Sequence, residues 1–171
     1  MCIKRVPDMG TRFKIAASGM AVDEAGLKYD MSDFDGYAVE TALQLNEKQG
    51  PGETVVISLG PDVVQEQLRK ALSMGADRAV QLKADRVPAD GIAIARALAA
   101  ELKDGGYELI LFGRQAVDSA NATVGPMTAE LLGVPCATAV STLDIANGRG
   151  TARRDLEGAA EIVEVPRPAV V

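Results

Sequence analysis

Between Gly113 and Gly125-Pro126 the chain gathers polar side chains able to hold a ligand: Arg114, Gln115, Asp118, Ser119, Asn121 and Thr123. A guanidinium, amides and hydroxyls in one loop suit phosphate oxygens, ribose hydroxyls or an adenine edge. The same groups serve equally well to satisfy their own backbone in Asx and Ser/Thr turns, and patterning alone leaves both readings open. An apolar run, Leu109-Ile110-Leu111-Phe112, leads into this loop, and a helical pattern starts at Pro126. The order is therefore strand, loop, helix. In an open parallel sheet ligands bind beyond the carboxyl ends of strands, where a helix N-terminus offers unpaired N–H groups to an anion. Positions 114–124 also exceed the about 2–6 residues typical of a strand-to-helix connection.

Other chemistries are excluded by composition. The chain has no His, so the commonest general base and metal ligand is missing. Its two thiols, Cys2 and Cys136, have no Cys-x-x-Cys spacing and read as small core residues. The carboxylates Asp23, Glu24, Asp30, Asp33 and Asp35 lack ion-binding-loop spacing and read as a solvated face. A net charge of −6 argues against a broad basic surface for nucleic acid or acidic membranes. Lys4 and Arg5 interrupt any N-terminal apolar run, so the reading is a cytoplasmic protein, or a compartment protein whose targeting peptide is missing, without a membrane span. Neither Gly-x-x-x-x-Gly-Lys nor Gly-x-Gly-x-x-Gly occurs as a phosphate motif.

The elements that must position the loop follow from periodicity. The run 1–6 reads as the end of a strand stopping at Pro7-Asp8, followed by a β-ribbon excursion through Phe13, Ile15, Val22, Leu27, Tyr29 and Met31. Ser32 or Asp33 caps a helix with Ala38, Val39, Ala42, Leu43 and Asn46 on one face, ending near Gly50-Pro51-Gly52. Strands at 54–58, 78–83 and 109–112 alternate with helices opened by Gly60-Pro61-Asp62 and by Pro88 and Asp90, the first closed by Gly75. The tract Ser58-Leu59-Gly60-Pro61 is either a tight turn or a border of the same crevice, and the turn is preferred. This alternation predicts one α/β domain over 1–171 with a parallel open sheet and right-handed crossovers. Beyond Pro135, strands at 137–143, 150–154 and 161–165 have no helix between them and predict an antiparallel region.

With these elements in place, the chain resembles the β subunit of electron transfer flavoprotein. The resemblance rests on Cys-Ile-Lys-Arg-Val-Pro-Asp at 2–8, Ala-Val-Glu-Thr-Ala-Leu-Gln-Leu at 38–45, Met-Gly-Ala-Asp-Arg-Ala at 74–79 and Gly-Arg-Gln-Ala-Val-Asp at 113–118. It extends through Val-Gly-Pro-Met-Thr-Ala-Glu-Leu-Leu-Gly at 124–133 and a tail carrying Arg154, Glu157, Gly158, Glu161, Val163 and Pro168-Ala169-Val170-Val171. It implies a Rossmann-like three-layer sandwich with helices on both faces. It further implies a heterodimer in which this subunit holds AMP structurally while the redox FAD sits mainly on an α subunit. Electrons would come from flavin dehydrogenases and leave to a membrane-bound quinone oxidoreductase. Carried over by position, the AMP contacts are Cys2, Ser32, Asp33, Phe34, Asp35, Leu59, Gly113, Arg114, Gln115, Ala116, Val117, Asp118, Ser119, Ala120, Asn121, Ala122, Thr123 and Val124.

Departures from the family pattern carry expectations of their own. Ser32-Asp33-Phe34 replaces the usual Asn-Pro-Phe, Ala159 stands where a Gly or an acid is usual, and Ala120 and Thr123 stand where members place an acid and a Gln. The loop is therefore expected to rely on backbone N–H groups, Gln115, Asp118 and Asn121. The first strand lacks its upstream half and the tail stops before the family's recognition loop and partner-embracing arm, which predicts an incomplete domain of marginal stability alone. No acid–base chemistry is expected of the chain itself. Runner-up readings are a bifurcating-type subunit holding a second FAD and using NADH, and, from another class, a stand-alone adenine-nucleotide sensor or ATP-using enzyme. Ala38-Val39-Glu40 and Met127-Thr128-Ala129 favour the AMP-holding members over the first, and missing phosphate motifs disfavour the second.

Overall fold

The computed structural model describes residues 1–50, 52–146 and 148–171, so Pro51 of the expected helix-ending turn lies outside the described residues. A parallel sheet is assembled around the first residues of the chain. β3 (Val55–Gly60) pairs parallel with β4 (Arg78–Lys83), and Cys2 bridges in parallel to Ile57 of β3 on one side and to Phe112, just beyond β5 (Leu109–Ile110), on the other. Hydrogen bonds from Ile57 N to Met1 O at 2.7 Å, Ile3 N to Ile57 O at 2.9 Å and Cys2 N to Leu111 O at 3.0 Å lock that central position. β9 (Ala169–Val170) pairs parallel with β5, and Cys136 bridges to Val170 beyond it. The chain first builds outward to β3 and β4, then returns to add β5 on the opposite side of residues 1–3.

The alternation of side chains across a strand assigns the helices to the two faces. Val56 joins a buried cluster with Met1, Ile3, Val39 of α1 (Asp33–Gln49) and Leu68 and Ala71 of α2 (Gln65–Met74). Its neighbours Val55 and Ile57 join Cys2, Ile110 and Val170 against Leu98 and Leu102 of α3 (Gly91–Leu102) and Ala129 of α4 (Val124–Leu132). The result is a mixed α/β domain with two helices packed on each side of the sheet. Local signals set the helix ends. Asp90 caps α3 by accepting from Ile92 N at 3.1 Å, and Gly75 ends α2 at φ 123°, a conformation strained for any side chain. A single 3-10 turn at Asp62–Val64 precedes α2, so this helix starts later than Gly60-Pro61-Asp62 implies.

Two peripheral pieces complete the fold. β1 (Arg5–Pro7) pairs antiparallel with β2 (Tyr29–Met31), and Ile15 bridges Val22 within the excursion between them. The Arg5 guanidinium lies 3.4 Å from the centre of the Tyr29 ring, a cation–π contact that fastens the ribbon's base. The C-terminal antiparallel sheet runs β6 (Val140–Ala146), β7 (Arg149–Leu156) and β8 (Ala159–Val165). β6 starts three residues after the expected 137, because Ala137 N is spent on Val170 O at 3.0 Å and Ala139 turns into the left-handed region at φ 53°. The tail does not end in the antiparallel sheet either. It returns as β9 to the parallel one, a two-residue strand directly after Pro168.

Ile57 is fully buried at the centre of this sheet. Truncation to alanine is expected to cost about 2–5 kcal/mol, as for other fully packed isoleucines. A denaturant titration checks this: the midpoint should fall with little change in slope, and a loss below about 0.5 kcal/mol, under the range for even one methyl group, would contradict the packing.

Candidate functional site

At the carboxyl ends of these strands the order reverses, with residues 1–3 leading to β3 on one side and neighbouring β5 on the other. Such a reversal opens a crevice where the two strands' following loops part. Here the crevice is a cleft of about 950 Å³. Its floor is tied by one side chain. Asp35, in the first turn of α1, accepts from Lys4 N at 2.7 Å through Oδ2 and from Gly113 N at 3.1 Å through Oδ1. The carboxyl thus clasps both parting loops to the helix. Gly113 is required by this closeness, since a Cβ there would fall on Asp35 Oδ1 and within 2.7 Å of Asp35 N. Burial pushes the Asp35 pKa up to about 7, against the pull of the Lys4 and Gly113 amides and the Lys4 charge, with Asp118 adding a smaller upward push.

The loop from Gly113 to Thr123 is shaped by contacts at both flanks. Lys4 Nζ holds both Asp118 oxygens, at 2.7 and 2.8 Å, and Ser119 Oγ at 3.3 Å. Ser32 Oγ accepts from Val117 N at 3.4 Å rather than capping its own helix. Ala120 and Ala122 sit at φ 51° and 52°, a region costly for a residue with a Cβ. Alternating left-handed residues turn successive N–H groups toward one side, which is how backbone nests hold anions. α4 then begins without a side-chain cap on its first amides, with Gly125 set over the Phe112 ring. Arg114 lines the cleft and, among the described residues, forms no ion pair. The unmatched guanidinium, the uncapped helix start and the strained loop together suit an anionic ligand.

Of the residues singled out from sequence, Cys2, Phe34, Asp35, Leu59, Gly113, Arg114, Gln115, Ala116, Ser119, Asn121, Ala122, Thr123 and Val124 line this cleft. Ser32, Asp33, Val117, Asp118 and Ala120 do not. Ser32 is buried behind the loop, Asp118 is engaged by Lys4, and Asp33 and Val117 border a smaller pocket of about 410 Å³ beside the β1–β2 ribbon. Leu59 shows that the end of β3 does border the crevice. Two expectations need correction. Asp35 is buried rather than part of a solvated acidic face, because its carboxyl has two main-chain partners; Cys136 is exposed and lines the cleft rather than filling the core. Cys2 is buried as expected, and burial pushes its thiol up to about 11. Among the described residues no group of acidic or thiol side chains is arranged to hold a metal.

Sequence reasoning missed Lys4, Tyr37, Thr41, Val87, Pro88, Ala89, Gly91 and the whole wall 136–143. Only Lys4 carried a signal, a cation just past a strand end. The wall carried none, since its residues approach the cleft only because the chain leaves the parallel sheet at Cys136.

A model of the electron transfer flavoprotein domain matches residues 19–171. The chain is similar to electron transfer flavoprotein subunit beta of Syntrophomonas wolfei, 35% identical over 171 residues, covering 100% of this chain and 67% of the relative. It is 34% identical over 163 residues to the subunit of the same name from Bacillus subtilis, covering 94% and 63%. The human subunit is 32% identical over 174 residues, covering 100% and 68%. The chain thus spans about two thirds of the length of these curated relatives.

The Asp35 clasp carries a pH signature. Because its folded pKa is raised from 3.8 to about 7, its contribution to stability is fully present below pH 3.8 and is lost as pH rises through about 7. Asp35→Asn should remove this part of the pH dependence. It should also lower stability by about 1–3 kcal/mol, since an amide NH2 leaves one of the two N–H donors unpaired. Melting curves of both proteins from pH 4 to 8 check the two effects, and an Asp35→Asn profile parallel to wild type would contradict the assignment.

Proposed function

The chain belongs to the electron transfer flavoprotein family, and from that premise we propose that it acts as a β subunit that binds AMP structurally and supports the FAD-carrying α subunit of a heterodimer. In this reading the complex takes electrons from flavin dehydrogenases and passes them to a membrane-bound quinone oxidoreductase, working in the cytoplasm. The fold is read as the Rossmann-like, doubly wound kind. No described helix is long and apolar enough to cross a membrane.

The observation that carries the nucleotide reading is the convergence, in one cleft, of Arg114, the left-handed loop and the uncapped start of α4. Its volume lies inside the about 300–1,000 Å³ usual for small-ligand sites. The residues fit AMP. The backbone of 119–123, the α4 amides and Arg114 would hold the phosphate; Gln115, Ser119 and Asn121 would serve the ribose and base; Cys2 and Leu59 would give apolar walls. AMP supplies no redox chemistry when bound. Its role is to stabilise the subunit, and a ligand at 100 times its Kd adds about 2.7 kcal/mol. In this reading the chain does no acid–base chemistry of its own, in keeping with its lack of His and with both Asp35 oxygens being taken by main-chain amides.

Purification with the α subunit, followed by acid release and mass spectrometry, tests this reading. AMP at about one equivalent per complex alongside FAD is expected. A second FAD in place of AMP would instead mark a bifurcating-type subunit, and no nucleotide would overturn the reading. Arg114→Ala should weaken AMP binding by about tenfold or more, the worth of one hydrogen bond to a charged group, with a reduced salt dependence in titration calorimetry.

A further inference from the structure

The tail residues Arg154 and Glu161 stand outside the cleft, yet they are tied to its wall. They lie directly opposite one another in the β7–β8 register. Both share the sheet face of Ala152 and Val165, which is packed rather than free. Arg154 Nη1 donates to Glu161 Oε2 at 2.6 Å, which turns the guanidinium toward the start of β6. There Nε donates to the Thr138 carbonyl at 2.7 Å and Nη2 reaches Thr138 Oγ1 at 3.5 Å. The next residue, Ala139, is held at φ 53°, and the register of β6 on β7 slips between Val140 and Thr142. Thr138, Ala139, Val140 and Ser141 all line the cleft. A strained alanine followed by a bulge would relax if left alone, and one planar fork meets the backbone at the residue before the strain.

We propose that Arg154 is a positioning residue for the nucleotide site: acting through Thr138, it holds the segment 136–143 in the shape that walls the cleft, with Glu161 orienting its guanidinium. This rests on the nucleotide reading above. The shape of the guanidinium matters as much as its charge. Its Nε–H and Nη–H groups diverge in one plane, so one side chain satisfies a carbonyl and a carboxylate together, which an ammonium on a flexible stem does not reproduce.

The test uses the complex of this chain with its α partner, stripped of nucleotide, carrying Arg154→Ala, Arg154→Lys or Glu161→Gln. Three quantities are measured: AMP affinity by calorimetry, amide hydrogen exchange over 136–143, and melting temperature. Arg154→Ala should weaken AMP by about tenfold, the scale of one charge-assisted hydrogen bond, and speed exchange locally in 136–143. Arg154→Lys should follow it despite keeping the charge. Glu161→Gln keeps an oxygen acceptor and should stay within about twofold of wild type. Wild-type AMP affinity in Arg154→Ala overturns the inference, as does faster exchange spread evenly along the chain, the mark of general destabilisation. A wild-type complex that binds no AMP overturns the nucleotide reading itself, and this inference with it.

Discussion

The contact between the Asp35 carboxyl and the amides of Lys4 and Gly113 is the constraint on which both fold and cleft depend. The sheet reverses its building direction at residues 1–3, and every reversal leaves two loops diverging over an open edge. Something must satisfy the first amides of those loops without filling the opening. A carboxylate from the first turn of α1 does so from below, because it can accept from both at once while its helix dipole favours negative charge at that end. The cost is desolvation, visible in the raised pKa. It also fixes the identity of residue 113, where only glycine leaves the carboxylate room.

From this clasp the remaining features follow outward. With Gly113 tied down, the loop leaves the sheet at a fixed angle, and Lys4, on the other clasped loop, reaches Asp118 and Ser119 to hold its middle. That ion pair is partly exposed, and pairs of this kind contribute about 0–1 kcal/mol, so its value is geometric rather than energetic. The loop then spends two left-handed alanines before entering α4. The opposite wall is held with the same economy by Arg154 on Thr138. Both walls carry a strained alanine where they face the cleft, Ala122 on one side and Ala139 on the other.

Much of this was legible in the sequence, and what was not has a physical reason. β-branched runs and capping residues revealed the alternating strands and helices, because Val55, Val56 and Ile57 are buried on both faces and Asp90 is a local N-cap. The long polar loop stands out as a candidate ligand site because its length and its Arg114 differ from an ordinary connection. Asp35 was not. A carboxylate after Ser32-Asp33-Phe34 looks like a surface acid in the first turn of a helix, and only long-range pairing with residues 4 and 113 reveals its burial. The wall at 136–143 was illegible for a similar reason. Its place depends on β9 returning to the parallel sheet, and a strand of two residues beside Pro166 and Pro168 leaves no periodic trace.

The central claim is that the cleft where the sheet reverses direction receives a nucleotide phosphate at the start of α4. The most direct measurement is a 15N–1H correlation titration of the isotopically labelled chain, in its α complex, with AMP. The account predicts that the largest shifts fall on the amides of Gly113, the loop 119–123, Val124 and Gly125, with Lys4 following through the clasp. Saturable shifts confined to other parts of the chain, with these amides unmoved, would contradict it.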